Sequence, residues 1–77
     1  MIKSGTLCRI CKDKNGNIWG TRKENAYDIT GIEENQLVLI IKKQSFNKFK
    51  ITSTIIHYEC LIDGNIFIVS EDNLKLV

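Results

Sequence analysis

The residues best suited to chemistry in this chain are its three cysteines and its single histidine. They form two pairs, Cys8-x-x-Cys11 and His57-x-x-Cys60, with a spacing that is common among zinc ligands. Both pairs lie in strand-like sequence, where residues three apart point to opposite faces of a sheet, so neither pair converges on one metal. We therefore predict no metal and no cofactor, with Cys8 and Cys60 in the core and Cys11 and His57 half exposed. A zinc site formed by all four residues is the alternative.

The segment 42–50 is the second candidate, because it holds four lysines and two phenylalanines and no acidic residue. Lysines neutralise phosphates and aromatic rings stack on bases, which makes nucleic-acid binding an alternative function. The residues that would carry it are Lys42, Lys43, Phe46, Lys48, Phe49 and Lys50. The other interpretation is a loop whose phenylalanines cover the end of the fold while its lysines keep it soluble.

The single tryptophan, Trp19, lies between two turn-forming segments. In a short strand only one of Ile18 and Trp19 can point inward, and Ile18 suits the core better. Tryptophan is frequent among the residues that contribute most to protein binding. We therefore predict Trp19, together with Arg22, as an anchor for a partner at the outside or the rim of the fold. Plugging the mouth of a barrel is the alternative role for Trp19.

Five consecutive apolar residues, 37–41, form most of one predicted strand, and they must point to both faces of the sheet. We assign the odd-numbered ones to the core: Leu37, Leu39 and Ile41. Val38 and Ile40 are then left on the outer face, where a small domain has little to cover them. We predict a protein interface there, with another protein or with a second copy of the chain. Burial under the loop 42–50 is the alternative.

Catalysis finds little support in the sequence. His57 and Glu59, on the same face of one predicted strand, are the only acid–base pair, and no nearby serine or cysteine lies in an exposed elbow as a nucleophile. We expect both side chains to be exposed and to form a cross-strand hydrogen bond. The chain also lacks a glycine-rich phosphate loop and a metalloprotease motif. We predict that the protein is not an enzyme.

The elements that must position these residues are strands. The run 55–62, the turn Asp63-Gly64-Asn65 and the run 66–69 together predict a β-hairpin, because Asp-Gly is a strong signal for a tight turn between strands. No amphipathic helix is visible. The alternation of apolar residues predicts strands at 6–12, 18–20, 26–32, 36–42, 51–62, 66–70 and 74–77.

The stretch 69–77 resembles the close of SH3-like barrels, in which a 3₁₀ turn carries the chain into a last strand that pairs with the first. The resemblance is one of layout and implies a fold without a function. The sequence predicts an all-β, small SH3-like, partly open barrel of about five to seven short strands, with little or no helix.

Length and composition set the remaining expectations. Seventy-seven residues, 1–77, make one domain, and 11 basic against 9 acidic residues give a net charge of only +2. The opening residues are followed by no apolar run, and the odd number of cysteines favours a reducing interior, so we expect a cytoplasmic protein with no membrane segment. Abundant Ile, Lys and Asn fit an AT-rich genome, such as that of a low-GC bacterium or its phages.

The leading hypothesis is a non-enzymatic small binding module acting on a protein partner, such as a phage or mobile-element inhibitor or adaptor. A nucleic-acid-binding barrel that uses the basic loop is the first alternative. An interaction module stapled by zinc is the second.

Overall fold

A computed structural model describes residues 2–25, 32–44 and 56–77. Six antiparallel strands form one sheet in the order β2-β5-β4-β3-β1-β6. Their bounds are β1 Leu7–Ile10, β2 Gly20–Arg22, β3 Leu37–Lys43, β4 His57–Ile62, β5 Asn65–Ser70 and β6 Leu74–Leu76. A 3₁₀ turn, Glu71–Asn73, is the one helical element in the described ranges. The prediction of an all-β, partly open barrel is confirmed.

The hairpin between β4 and β5 has the turn that its sequence predicts. Asp63 and Gly64 have φ angles of 48° and 80°, and a two-residue turn with positive φ at both positions is type I′. Its twist matches the right-handed twist of the flanking strands. Aspartate and glycine adopt this conformation at little cost, which is why the sequence signal is strong.

The chain ends as the SH3-like layout predicts. The Ser70 hydroxyl accepts a hydrogen bond from the backbone N–H of Asp72 and caps the 3₁₀ turn. The turn delivers β6 to β1, where Leu74 lies opposite Ile10 and Leu76 lies opposite Cys8.

One buried side chain joins the two ends of the sheet. The Asn73 carboxamide accepts a hydrogen bond from the backbone N–H of Trp19, which precedes β2. It also donates to the carbonyl oxygens of Cys11, which follows β1, and of Asn17. All three distances are 2.8 Å, and Asn73 has no exposed surface. Because β2 is an edge strand and β1 lies next to the other edge, Asn73 holds the barrel together where, in the described ranges, no strand pairing closes it.

The core is formed by the inward side chains of four strands: β1, β3, β4 and β5. Its buried members are Cys8, Ile10, Val38, Ile40, Tyr58, Cys60, Ile62, Phe67 and Val69. The predicted register of β3 is therefore wrong, because Val38 and Ile40 point inward with 1% of their surface exposed while Leu37 is 47% exposed. Val38 lies opposite Cys8 on β1, and directly paired residues share a face, so β1 and β3 turn the same face to the core.

The sheet also contains a repeated unit. In residues 2–10 and 32–40 a turn is followed by a strand at corresponding positions, and the pattern of buried and exposed residues is the same. The N–H of Gly5 donates to the carbonyl of Ile40, and thirty positions later the N–H of Asn35 donates to the carbonyl of Ile10. Gly5 and Asn35 both have positive φ. β1 and β3 are thus related by a local twofold axis that passes through the pair Cys8–Val38.

Two predicted strands differ from the structure. The short strand expected at 18–20 is found at Gly20–Arg22. Of the strand expected at 26–32, residues 26–31 lie outside the described residues and Ile32 is not in a strand. Residues 51–55 of the long predicted strand also lie outside the described residues. In the part of the chain that the structure describes, no helix has the length and hydrophobicity needed to cross a membrane.

Candidate functional site

A continuous row of exposed apolar side chains lies on the outer side of the sheet. Direct pairing places Leu7 of β1 beside Leu39 of β3, Leu39 beside Leu61 of β4, and Leu61 beside Ile66 of β5. Leu37 is next to Leu39 on the same side of β3. All are exposed, and we call this set the leucine face: Leu7, Leu37, Leu39, Leu61 and Ile66.

Strand alternation explains why these side chains point outward. Their neighbours along each strand, including Val38, Ile40, Cys60 and Phe67, fill the core. The apolar outer face that the sequence predicted therefore exists. The residues that form it are Leu37 and Leu39, adjacent to Val38 and Ile40. The prediction that Val38 and Ile40 lie on the outer face is wrong, because both side chains are buried in the core.

Basic residues flank the leucine face on one side. Arg9 of β1 lies opposite both Leu37 of β3 and Lys75 of β6. The Arg9 guanidinium donates to the carbonyl oxygen of Asn35 at 3.0 Å, which fixes its position without neutralising its charge. Both Arg9 and Lys75 are exposed, so this side of the leucine face is positively charged.

A buried carboxylate lies on the other side. A β-bulge between Ile40 and Lys42 shifts the register of β3 and brings Lys42 opposite Glu59 of β4. The Glu59 carboxylate forms ion pairs with Lys42, at 3.5 Å, and with Lys23, at 2.6 Å. The backbone N–H of Lys23 donates to the carbonyl of Ile66, so this cluster adjoins the leucine face.

The charge state of Glu59 follows from these partners. Burial alone would raise the pKa of its carboxyl, but the hydrogen bonds and positive charges of Lys23 and Lys42 outweigh it. The net effect is a pKa below the usual range, so the carboxylate is ionised at neutral pH. Two lysines therefore share a single negative charge. We call Arg9, Lys23, Lys42 and Lys75 the basic rim.

Trp19 forms a separate surface. It is 60% exposed, which confirms that it points outward. Its indole N–H donates to the Asp13 carboxylate at 3.1 Å, and its backbone carbonyl accepts from Ser70. The ring stands at a groove of about 660 Å³, whose lining is Lys12, Asp13, Lys14, Asn15, Trp19, Ser70 and Asp72.

Asp13 organises the turn beside this groove. Its Oδ1 accepts hydrogen bonds from the backbone N–H groups of Asn15 and Asn17, both at 2.9 Å. The bond from Asn17 is the main reason that the pKa of Asp13 is lowered, with the Trp19 indole contributing. The groove therefore carries both charges, with Lys12 and Lys14 beside Asp13 and Asp72.

The structure does not bring Trp19 and Arg22 together with the leucine face. Trp19 is four residues before Lys23, which corresponds to about 13 Å along an extended strand. The Arg22 guanidinium lies 4.9 Å from the centre of the buried Phe67 ring, on the inner side of the sheet. Their role as partner anchors stays a prediction that is independent of the leucine face.

The cysteines and the histidine are placed as the strand argument predicts. Cys8 and Cys60 are buried, and Cys11 and His57 are half-buried. Burial raises the pKa of the Cys60 thiol to about 12, with Cys8 and Glu59 adding to the effect, and it also raises that of Cys8. Cys11 Sγ contacts the carbonyl oxygen of Asp72 at 3.7 Å. Among the described residues, no group of three or more His, Cys, Asp or Glu side chains is arranged to hold a metal ion.

Two members of the predicted nucleic-acid set, Lys42 and Lys43, are among the described residues. Lys42 is in an ion pair with Glu59, and Lys43 is exposed on β3 opposite Tyr58. The other members of the set lie outside the described residues: Phe46, Lys48, Phe49 and Lys50.

A repeat in the sequence indicates which side of β3 faces outward, and it could have identified Leu37 as an outer-face residue. Ile2, Leu7 and Ile10 recur as Ile32, Leu37 and Ile40, thirty positions apart. Together with the alternation of β1, this repeat assigns Leu37 to the outer face and Ile40 to the core.

Comparison with known proteins identifies no relative: no protein-family model, no curated protein and no solved structure matches this chain.

Proposed function

We propose that this domain is a non-enzymatic binding module that docks a protein partner on its leucine face. The observation that carries the proposal is the unbroken row Leu7–Leu39–Leu61–Ile66 across four neighbouring strands. A single exposed apolar residue is ordinary. The solvated face of an antiparallel sheet, however, normally carries polar side chains along each strand. Contiguous exposed apolar surface is typical of interaction sites.

The chemistry of the described side chains supports a binding role rather than catalysis. The thiols of Cys8 and Cys60 are buried and have raised pKa values, whereas a nucleophilic cysteine needs a lowered pKa and access to solvent. The Glu59 carboxylate is occupied by two lysines. These groups therefore contribute to the core and to the electrostatics of the surface.

Site-specific photocrosslinking in cells that naturally express the protein tests this proposal. A photoreactive residue at Leu39 or Leu61 should give a discrete adduct, and the same residue at Lys14, which lies at the Trp19 groove, should not. An adduct of twice the chain mass identifies a second copy as the partner. If Lys14 gives the same adducts, or if none form at Leu39 and Leu61, the proposal is wrong.

A further inference from the structure

We infer that the partner segment that docks on the leucine face is acidic as well as apolar. This inference rests on the proposed function and names the chemistry of its partner. The leucine face supplies apolar contact but no charge. The charge that a partner meets is therefore set by the residues that border the face.

Four basic residues, the basic rim, border the leucine face, two on each side. Arg9 and Lys75 are paired across β1 and β6 next to Leu37, and both are exposed. The guanidinium of Arg9 is oriented by a neutral carbonyl oxygen. On this side the positive charge remains available to a partner.

The opposite side is also positive. Lys23 and Lys42 flank Glu59, but one carboxylate cannot neutralise two ammonium groups. The side chains of Lys23 and Lys42 are 47% and 64% exposed, so both also face solvent.

Acidic residues also lie near the Leu37 end of the face. The Asp63 carboxylate accepts a hydrogen bond from the Gln36 carboxamide. Glu33 and Glu34 are in the turn that precedes β3, where Glu34 pairs with Lys12.

An apolar strip between two positive borders fits a segment in which apolar side chains alternate or interleave with Asp and Glu. The apolar side chains would cover the leucine face, and the carboxylates would reach the basic rim on either side. Charge complementarity of this kind mainly increases the rate of association and the selectivity for the correct partner.

The experiment selects partners from a displayed library of short random peptides, using the full chain as bait. The variant Leu39→Lys/Leu61→Lys serves for counter-selection. Both substituted side chains already point outward, and circular dichroism verifies that the variant is folded. We expect enriched peptides to combine Leu, Ile or Phe with an excess of Asp and Glu.

Variants of the basic rim then measure the electrostatic contribution to peptide affinity. Arg9→Gln and Lys75→Gln should each weaken binding of an enriched peptide by about 2–5-fold at low salt and have little effect at high salt. Lys14→Gln, which removes the same charge beside the Trp19 groove, should change the affinity by less than about twofold. Lys23 and Lys42 are left intact because their removal would leave Glu59 buried without a partner.

The outcomes distinguish the claim that the partner is acidic from the claim that the leucine face binds a protein. Neutral or basic peptides that require Leu39 and Leu61 would overturn the acidic partner and leave the proposed function standing. Enrichment that the leucine variant does not abolish, or no enrichment, would overturn both. Co-sedimentation with phosphatidylserine vesicles that is lost in the leucine variant would overturn the peptide partner in favour of an anionic lipid surface.

Discussion

Leu39 and Leu61 lie directly opposite each other across β3 and β4, on the side of the sheet away from the core, with 36% and 37% of their surface exposed. The next pair along the strands, Ile40 and Cys60, is buried. Adjacent positions on one strand thus lie on the solvent side and on the core side of the sheet. Substitutions can therefore alter the outer surface without altering the core.

Substitution by lysine should separate the two sides of β3. Val38→Lys places a charge in the core and should cost more than about 3 kcal/mol of unfolding free energy. Leu37→Lys, at the adjacent exposed position, should change it by less than about 1 kcal/mol. Urea unfolding of both variants measures the difference. Equal effects would show that the two faces are not distinguished as the structure describes.

Asn73 should be among the polar residues most important for stability. Asn73→Ala removes three hydrogen bonds, from the N–H of Trp19 and to the carbonyl oxygens of Cys11 and Asn17. The Asn17 carbonyl keeps its bond from the N–H of Asp13, so the main loss is at Trp19 and Cys11. We expect a loss of about 2–4 kcal/mol.

The measurement is thermal unfolding followed by the fluorescence of Trp19, the single tryptophan. Asp72→Ala, at the exposed neighbouring position, is the control and should cost less than about 1 kcal/mol. A small effect of Asn73→Ala would mean that the barrel does not depend on this closure.

The ion pairs of Glu59 should contribute stability that depends on pH. Because its pKa is lowered in the folded protein, the contribution is present above the unfolded pKa of about 4.3 and is lost as the pH falls through the folded pKa. Glu59→Gln should therefore cost about 1–2 kcal/mol at neutral pH and only a few tenths well below pH 4.

Glu34→Gln provides the matched control for Glu59. Glu34 pairs with Lys12 at 4.0 Å, and both side chains are about half exposed, so its contribution should be below about 0.5 kcal/mol at any pH. If the cost of Glu59→Gln instead grows as the pH falls, burial dominates its titration and the described ion pairs are not formed.

A side chain at Gly20 should destabilise the fold. A Cβ at this position would lie 2.7 Å from the Ile32 Cδ1 and 3.2 Å from the carbonyl oxygen of Ile68. We expect Gly20→Ala to cost about 1–3 kcal/mol. Adding Ile32→Val, which removes the Cδ1 atom, should recover part of this loss relative to Ile32→Val alone. Chemical denaturation of the single and double variants tests the coupling, and additive effects would contradict the close approach.

Local signals predicted most of the fold. The Asp63-Gly64 turn specifies its own backbone conformation, and the residues after Ser70 form the 3₁₀ turn and last strand of the predicted layout. The placement of Cys8 and Cys60 also followed from alternation, because their strands mix apolar and polar residues. In each case neighbouring residues supplied the information.

The register of β3 and the environment of Glu59 depend on residues that are distant in sequence. Five apolar residues in a row contain no alternation, so the run itself does not indicate which side is buried. The pairing of Val38 with Cys8, and the repeat that relates β3 to β1, determine it. Glu59 was expected to be exposed beside His57. It is buried because the bulge before Lys42 and the position of Lys23 after β2 bring two lysines to it.

The most direct test of the central claim is the affinity of the crosslinked partner for the wild type and for Leu39→Lys/Leu61→Lys, measured by titration calorimetry. Each leucine buried at an interface contributes about 1.5–3 kcal/mol, so the double variant should bind at least about 100-fold more weakly. Its unfolding free energy should remain within about 1 kcal/mol of the wild type, because both positions are exposed. An affinity within about threefold of the wild type, with the fold intact, would contradict the claim that the leucine face is the binding surface.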